Sequence, residues 1–186
     1  MILEGLVTTK NADGSTNVSP MGPLVEATMQ SFVLRPFQTS RTYQNLVREG
    51  YGIFHVTDNV LQLAQAAVGQ PSAPNWLSHD EFPMQILQDA CRWYAFTIRS
   101  IDASETRSEI HCCVTRHGFL REFMGFNRAK HAVLEAAILA TRIHLIPQDE
   151  LFQQLDQLAI LVAKTGGKDE SQAFQFLVEY VKSSSE

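Results

Sequence analysis

Cysteine is scarce in this chain: Cys91, Cys112 and Cys113 are the only three among 186 residues, and no C-x-x-C spacing occurs. An odd, unspaced set excludes a disulfide framework and a zinc ribbon, leaving reduced thiols in a core. In a strand, Cys112 and Cys113 would face opposite sides. Long apolar runs are also missing. Nothing approaches the ~20 residues of a membrane helix, and "MILEGLVTTK" has neither a basic start nor a cleavable apolar stretch. A cytoplasmic protein with no membrane partner is expected. Positive charge is in deficit, with 15 Lys+Arg against 20 Asp+Glu and a net charge of −5, so no nucleic acid is expected as a partner.

The signatures of common chemistry are absent as well. There is no G-x-S-x-G, H-E-x-x-H, Walker loop or G-x-G-x-x-G, which removes the usual hydrolase, zinc and nucleotide readings. Six histidines (His55, His79, His111, His117, His131, His144) are scattered at spacings that select no metal, and none is predicted.

What remains is a globular composition, 45% apolar and 19% charged, with a marked change of pattern along the chain. "ILEGLVTT" and "VSPMGPLVEA" flank Asp13-Gly14, a hairpin signal, so residues 2 to 34 read as a β-meander. Tyr43, Leu46 and Val47 then recur at helical spacing before Gly50, and "YGIFHVTD" is a β-branched and aromatic strand. "NVLQLAQAAVG" reads as a short helix. Residues 69 to 84, with three prolines, read as an ordered surface loop where substrate choice or a partner contact would be written. Strands return from Cys91 to Phe123, with a turn expected at Arg116-His117-Gly118.

After Gly125 three helices follow, punctuated by Pro147 and Gly166-Gly167. The prediction is an α+β chain, with a mainly β part over 1–124 and a helical part over 125–186. "SSSE" reads as a frayed end.

Two stretches offer an anion site. In "RPFQTSRTYQNLVREG", Thr39 or Ser40 can cap a helix, and Arg35, Arg41 and Thr42 add cations and a hydroxyl. Unpaired N–H groups and a positive dipole end favour a phosphate there, and no Glu or Gln three residues on closes a capping box. In "GFNRAKHAVLEAAILATR", Asn127 is a good N-cap, but Arg128 and Lys130 sit in the first turn, against the dipole. An anion or an acidic surface is expected opposite them. Ala129, Ala132, Val133, Ala136, Ala137, Ala140 and Ile143 share one face, which suits close helix packing.

The hairpin carrying "NVSPM", followed by "RPFQTSRTYQNLVREGYGIFHV", resembles the split barrel of the flavin reductase and pyridoxamine-phosphate-oxidase-like group. More narrowly, "MILEGLVTTKNADGSTNVSPMGP" together with "GFNRAKHAVLEAAILATR" resembles the uncharacterised DUF447 family, in which such a barrel is joined to C-terminal helices. The resemblance implies FMN at a homodimer interface, with its phosphate on Thr39, Ser40, Arg41 and Thr42. It implies that Asn17, Val18, Ser19, Pro20 and Met21 run along the isoalloxazine ring, offering backbone polar groups to its edge and Val18 and Met21 as apolar cover. It also implies an oxidoreductase of unknown small-molecule substrate, in which the flavin supplies the redox chemistry. His55 and His117 are the candidate proton carriers. The alternative is a non-catalytic barrel that binds a phosphorylated ligand or docks a partner.

Overall fold

The computed structural model describes residues 1–71, 73–78 and 84–184. His79, part of the 69–84 loop and the last two residues of "SSSE" lie outside the described residues. The chain divides into two compact units, one of residues 1–57 and 74–122 and one of residues 58–73 and 123–186.

The first unit is built on strands β1 (Gly5–Lys10), β2 (Thr16–Met21), β3 (Leu24–Val25), β4 (Ser31–Leu34), β5 (Tyr51–Val56), β8 (Arg92–Asp102) and β9 (Glu109–Phe119), with β6 (Trp76–Leu77) and β7 (Ile86–Leu87) as a separate ribbon. The seven-stranded sheet has the order β2-β1-β5-β8-β9-β4-β3, and its pairs are antiparallel. The first four strands therefore do not form a simple meander, because β4 pairs with β9 and not with β2. Asp13 secures the β1–β2 hairpin by accepting from both the N–H and the hydroxyl of Ser15.

Aromatic residues curl this sheet. Phe54 on β5 and Phe32 on β4 are three strand spacings apart, ~14 Å in a flat sheet, yet their ring centroids lie 5.8 Å apart. Phe96 closes on Phe32 edge-on at 5.2 Å. These rings share one buried cluster with Val7, Leu34, Leu46 and Ile110, so burial of apolar surface drives the curl. A curled antiparallel half-barrel results.

Helix α1 (Arg41–Glu49) lies between β4 and β5 in the chain and buries Thr42, Asn45 and Leu46. It stops at Gly50, which takes the left-handed conformation (φ 76°) and returns its N–H to the Leu46 carbonyl, as an αL cap requires.

Arg116, His117 and Gly118 lie inside β9, and the chain turns instead at residues 103–108. Gly118 is explained by packing: a Cβ there would come 2.4 Å from Trp93 Nε1. Its place opposite Trp93 on β8 needs a hydrogen rather than a turn. Cys112 is buried and Cys113 half-buried on successive, opposite-facing positions of the same strand; burial pushes the Cys112 thiol up to about 12.

In the second unit, helix α2 (Val60–Ala67) packs with α3 (Arg128–Ala140) and α5 (Lys168–Ser184), and α3 packs with α4 (Gln148–Thr165). The division thus differs from one drawn at residue 124 in a single element: α2 joins the helices because Leu63, Ala64 and Ala66 are buried there. Ala129, Ala132, Val133, Ala136, Ala137 and Ala140 are all buried along α3, whereas Ile143 lies past its end and is half-buried. No helix among the described residues is long and apolar enough to cross a membrane.

His55 on β5 is fully buried. Its Nδ1 lies 3.3 Å from the Leu6 carbonyl, and its Nε2 accepts from the Leu87 N–H at 3.2 Å. The ring is therefore a neutral Nδ1–H tautomer spanning two backbone segments, and burial lowers its pKa to about 3. The folded state then holds fewer protons than the unfolded state between about pH 3 and 6.5. Its stabilising contribution is complete above the unfolded value and declines as pH falls through that window. Denaturant titrations at pH 7 and pH 5 are expected to differ by about 2 kcal/mol from this residue, and the His55→Gln variant to lose most of that difference. Gly118→Ala is expected to cost about 1 to 3 kcal/mol by crowding Trp93, read as a lower denaturation midpoint.

Candidate functional site

The candidate site grows out of one edge of the sheet. β2 is a terminal strand, bonded on one side to β1 alone. Register along the ladder runs Thr9↔Asn17, Val7↔Ser19 and Gly5↔Met21, continuing the hydrogen bond from Asn11 N–H to Ser15 carbonyl. Alternate residues share a phase, so Asn17, Ser19 and Met21 turn their backbone groups toward β1. The N–H and C=O of Val18 and the C=O of Pro20 therefore face the open edge. Pro20, with no N–H to give, occupies a position where the ladder asks for none.

Side chains alternate as strictly. Asn17 and Met21 point toward the interior of the curl, where Met21 packs on the aromatic cluster. Val18 is one residue out of phase and buried on the opposite face. Val18 and Met21 therefore stand on opposite faces of β2.

The Asn17 amide docks α1. Its Nδ2 donates to Thr9 Oγ1 (3.2 Å) and to Thr42 Oγ1 (3.1 Å). From the helix, Asn45 Nδ2 donates to the same Thr9 hydroxyl (3.0 Å) and to Asn11 Oδ1 (2.8 Å). Arg48 closes the set with bonds to Asn45 Oδ1 and the Lys10 carbonyl. Sequence patterning passed over Asn11, Asn45 and Arg48 as site residues. An Asn at a helix position that periodicity assigns to the core was the available signal.

The helix start is arranged as follows. Ser40 is the N-cap, its Oγ accepting from the Tyr43 N–H (3.2 Å), and the Gln44 N–H bonds to the Ser40 carbonyl. Among the described residues, the N–H groups of Arg41 and Thr42 have no acceptor. No acidic residue lies in the first turn. Thr39 and Arg41 are exposed, and Arg35 is half-buried with no hydrogen bond or ion pair among the described residues. Thr42 is the exception among the expected hydroxyls: it is 2% exposed, and its Oγ1 accepts from the Asn17 amide.

The turn before the helix is braced from the β8–β9 loop. Gln38 Nε2 donates to the carbonyls of Ala103 (2.9 Å) and Glu105 (2.8 Å), and the Arg107 guanidinium lies 4.6 Å from the Phe37 ring centroid. Ser108 donates its N–H to the Pro36 carbonyl. Its buried Oγ has no partner among the described residues.

The second stretch has found its acidic surface within the chain. Asn127 caps α3 by accepting from the N–H groups of Ala129 and Lys130. The Lys130 ammonium donates to the Asp58 carbonyl (2.6 Å) and pairs with Glu170 (3.3 Å). Burial pushes the Glu170 carboxyl up, but the Gly167 N–H and Lys130 outweigh it and hold the pKa below its ordinary value. Arg128 stays exposed there.

Both ring nitrogens of His55 are engaged in the core, which removes it as a proton carrier. His117 is exposed on β9 beside Tyr94, with centroids 6.1 Å apart. Among the described residues no group of three His, Cys, Asp or Glu side chains is placed to hold a metal.

Comparison with solved structures gives the fold its relatives. An FMN-bound DUF447 protein of Methanosarcina mazei superposes with a TM-score of 0.82 at 22% identity, covering 96% of this chain and 94% of that one. The flavin reductase of styrene monooxygenase from Pseudomonas putida S12 matches with a TM-score of 0.52 at 12% identity, over 63% of this chain and 80% of that one. An NADH:FAD oxidoreductase of Streptomyces globisporus matches with a TM-score of 0.53 at 11% identity, over 63% and 70%. No curated protein matches. The model of the DUF447 N-terminal domain, a protein of unknown function, matches residues 3–121, and the DUF447 C-terminal model matches residues 127–179. With both models matched in order along one split barrel and its helices, the chain belongs to the DUF447 family.

Proposed function

We propose that this protein is an FMN-binding flavoprotein, with the cofactor laid along the open edge of β2 and its phosphate at the start of α1. The observation that carries this reading is the pair of free N–H groups of Arg41 and Thr42, held beside β2 by the bond from Asn17 to Thr42. Two N–H donors on a helix dipole, the Thr39 hydroxyl and the guanidinium groups of Arg35 and Arg41 match the charge and acceptor count of a phosphate monoester. Ser40 keeps its O–H to donate while its oxygen caps the helix. The Val18 and Pro20 backbone groups on the open edge suit the polar rim of an isoalloxazine ring, because fixed dipoles can read it without side-chain entropy loss. The FMN-bound DUF447 relative supports the choice of FMN over other phosphorylated ligands.

Bound flavin would supply the electron chemistry of an oxidoreductase, and the chain's residues position it. The same reading carries a cytoplasmic homodimer, for which the exposed apolar Met1, Ile2 and Leu24 along one side of the sheet are the support. A partner-docking role is favoured by a different observation, the exposed Phe123, Met124 and Phe126, the last 95% exposed.

Titration of the purified protein with FMN and with riboflavin, followed by flavin fluorescence quenching, separates the two. Tight FMN binding with weak riboflavin binding is expected; binding of neither leaves the docking role. In the Thr39→Ala, Arg41→Ala double variant, FMN is expected to weaken by roughly 2 to 4 kcal/mol with an unchanged denaturation midpoint. Unchanged affinity would move the phosphate elsewhere, with Arg128 as the next cation to test.

A further inference from the structure

The residues that lead into α1 are held by more than their own turn. In the ladder between β4 and β9, Leu34 stands opposite Ile110. That register runs on past the end of β4: the Ser108 N–H donates to the Pro36 carbonyl (3.1 Å), Phe37 bridges to Arg107, and the Gln38 N–H donates to the Thr106 carbonyl (3.3 Å). Antiparallel pairing therefore continues as far as Gln38, the residue just before Thr39.

Side chains add a second tie. The Gln38 amide nitrogen has two protons and finds two carbonyls, those of Ala103 (2.9 Å) and Glu105 (2.8 Å). Three carbonyls of the β8–β9 loop, at residues 103, 105 and 106, are thus spent on one residue. Beside it the Arg107 guanidinium covers the Phe37 ring, 4.6 Å from its centroid.

The far end of the turn is anchored separately, by the bond from the Asn17 amide to Thr42 Oγ1 (3.1 Å). Between the two anchors lie Thr39, Ser40 and Arg41. Ser40 is fixed by its N–H, which donates to the Phe37 carbonyl (2.9 Å), and by its capping bond from Tyr43. The N–H groups of Thr39 and Arg41 have no acceptor among the described residues. Ordering such donors costs conformational entropy, which opposes binding unless the fold has already ordered them.

We infer that Gln38 is a positioning residue for the phosphate of the cofactor: by tying the 39–42 turn to the β8–β9 loop, it sets the preference for a phosphorylated flavin over a phosphate-free one. The inference rests on the reading that FMN places its phosphate at the start of α1. Gln38 is uncharged and its amide protons are spent within the protein, so it acts on the phosphate through geometry and not through contact. The flavin ring lies along β2 in that reading, and β2 is held by β1 and the Thr9 hydroxyl, not by this brace.

The test measures FMN and riboflavin affinities of the full-length protein by fluorescence quenching. Gln38→Met keeps the length of the side chain and removes its donors, and Phe37→Leu removes the ring that Arg107 covers. Neither changes the charge. In Gln38→Met, FMN affinity is expected to fall about tenfold while riboflavin affinity holds. The factor is expected to be the same at low and high salt, whereas a lost charge contact would fade as salt rises. Phe37→Leu is expected to lower the FMN-to-riboflavin ratio less. An unchanged ratio in Gln38→Met, whether both affinities hold or both fall, would overturn the inference; if that variant does not fold, the ratio in Phe37→Leu decides. Equal affinity of the unsubstituted protein for FMN and riboflavin would instead overturn the phosphate reading beneath it, so the two failures are told apart.

Discussion

The Thr9 hydroxyl is the point on which the candidate site turns. It lies fully buried on β1 and accepts from the Asn17 amide on one side and the Asn45 amide on the other. An edge strand and a helix are thereby fixed to the same atom. Buried amides are costly unless satisfied, so this network tolerates one register of β2 and one seating of α1. A helix seated by periodicity alone would be free to slide or rotate against the sheet. Seated by Asn45 and Asn17, it delivers its first two free N–H groups to a defined place beside the open edge.

The curl of the sheet is the larger-scale constraint that makes such an edge available. Phe32, Phe54 and Phe96 meet only when four neighbouring strands bend around them, and the bend brings β3 against residues 1–3, just before β1, while β2 remains an open edge. Edge strands are commonly blocked by charge or proline. Pro20 removes one donor from the β2 edge, while Val18 keeps both of its backbone groups. The edge is thus narrowed to a few polar atoms without being abolished.

The helical unit handles charge differently. Lys130 opposes its own helix dipole, and the Asp58 carbonyl and the Glu170 carboxylate compensate for it. At the other end of α3, and at the end of α2, the dipole has no such answer. The same element therefore begins with a surplus cation satisfied internally and ends with no basic residue in its last turn.

Much of this was legible in the residues themselves. Periodicity and punctuation marked the β1–β2 hairpin, α1 between Ser40 and Gly50, β5, and the helices around Pro147 and Gly166-Gly167, because these depend on local dihedral preferences and caps. "RPFQTSRTYQ" announced a helix start with a Ser cap and no acidic residue in its first turn, because both are visible in the sequence. Other features depended on side chains distant along the chain. Gly118 reads as a turn until Trp93 is seen to need its missing Cβ. Thr42 reads as an exposed hydroxyl until it is found 2% exposed and accepting from Asn17, 25 residues away. Lys130 reads as a free cation until Glu170 comes within 3.3 Å, and His55 as a proton carrier until Leu6 and Leu87 enclose it. Sequence determined where the chain turns, coils and exposes donors; tertiary structure alone decided which polar groups were already spent on one another, since hydrogen bonds and ion pairs are settled by proximity in space.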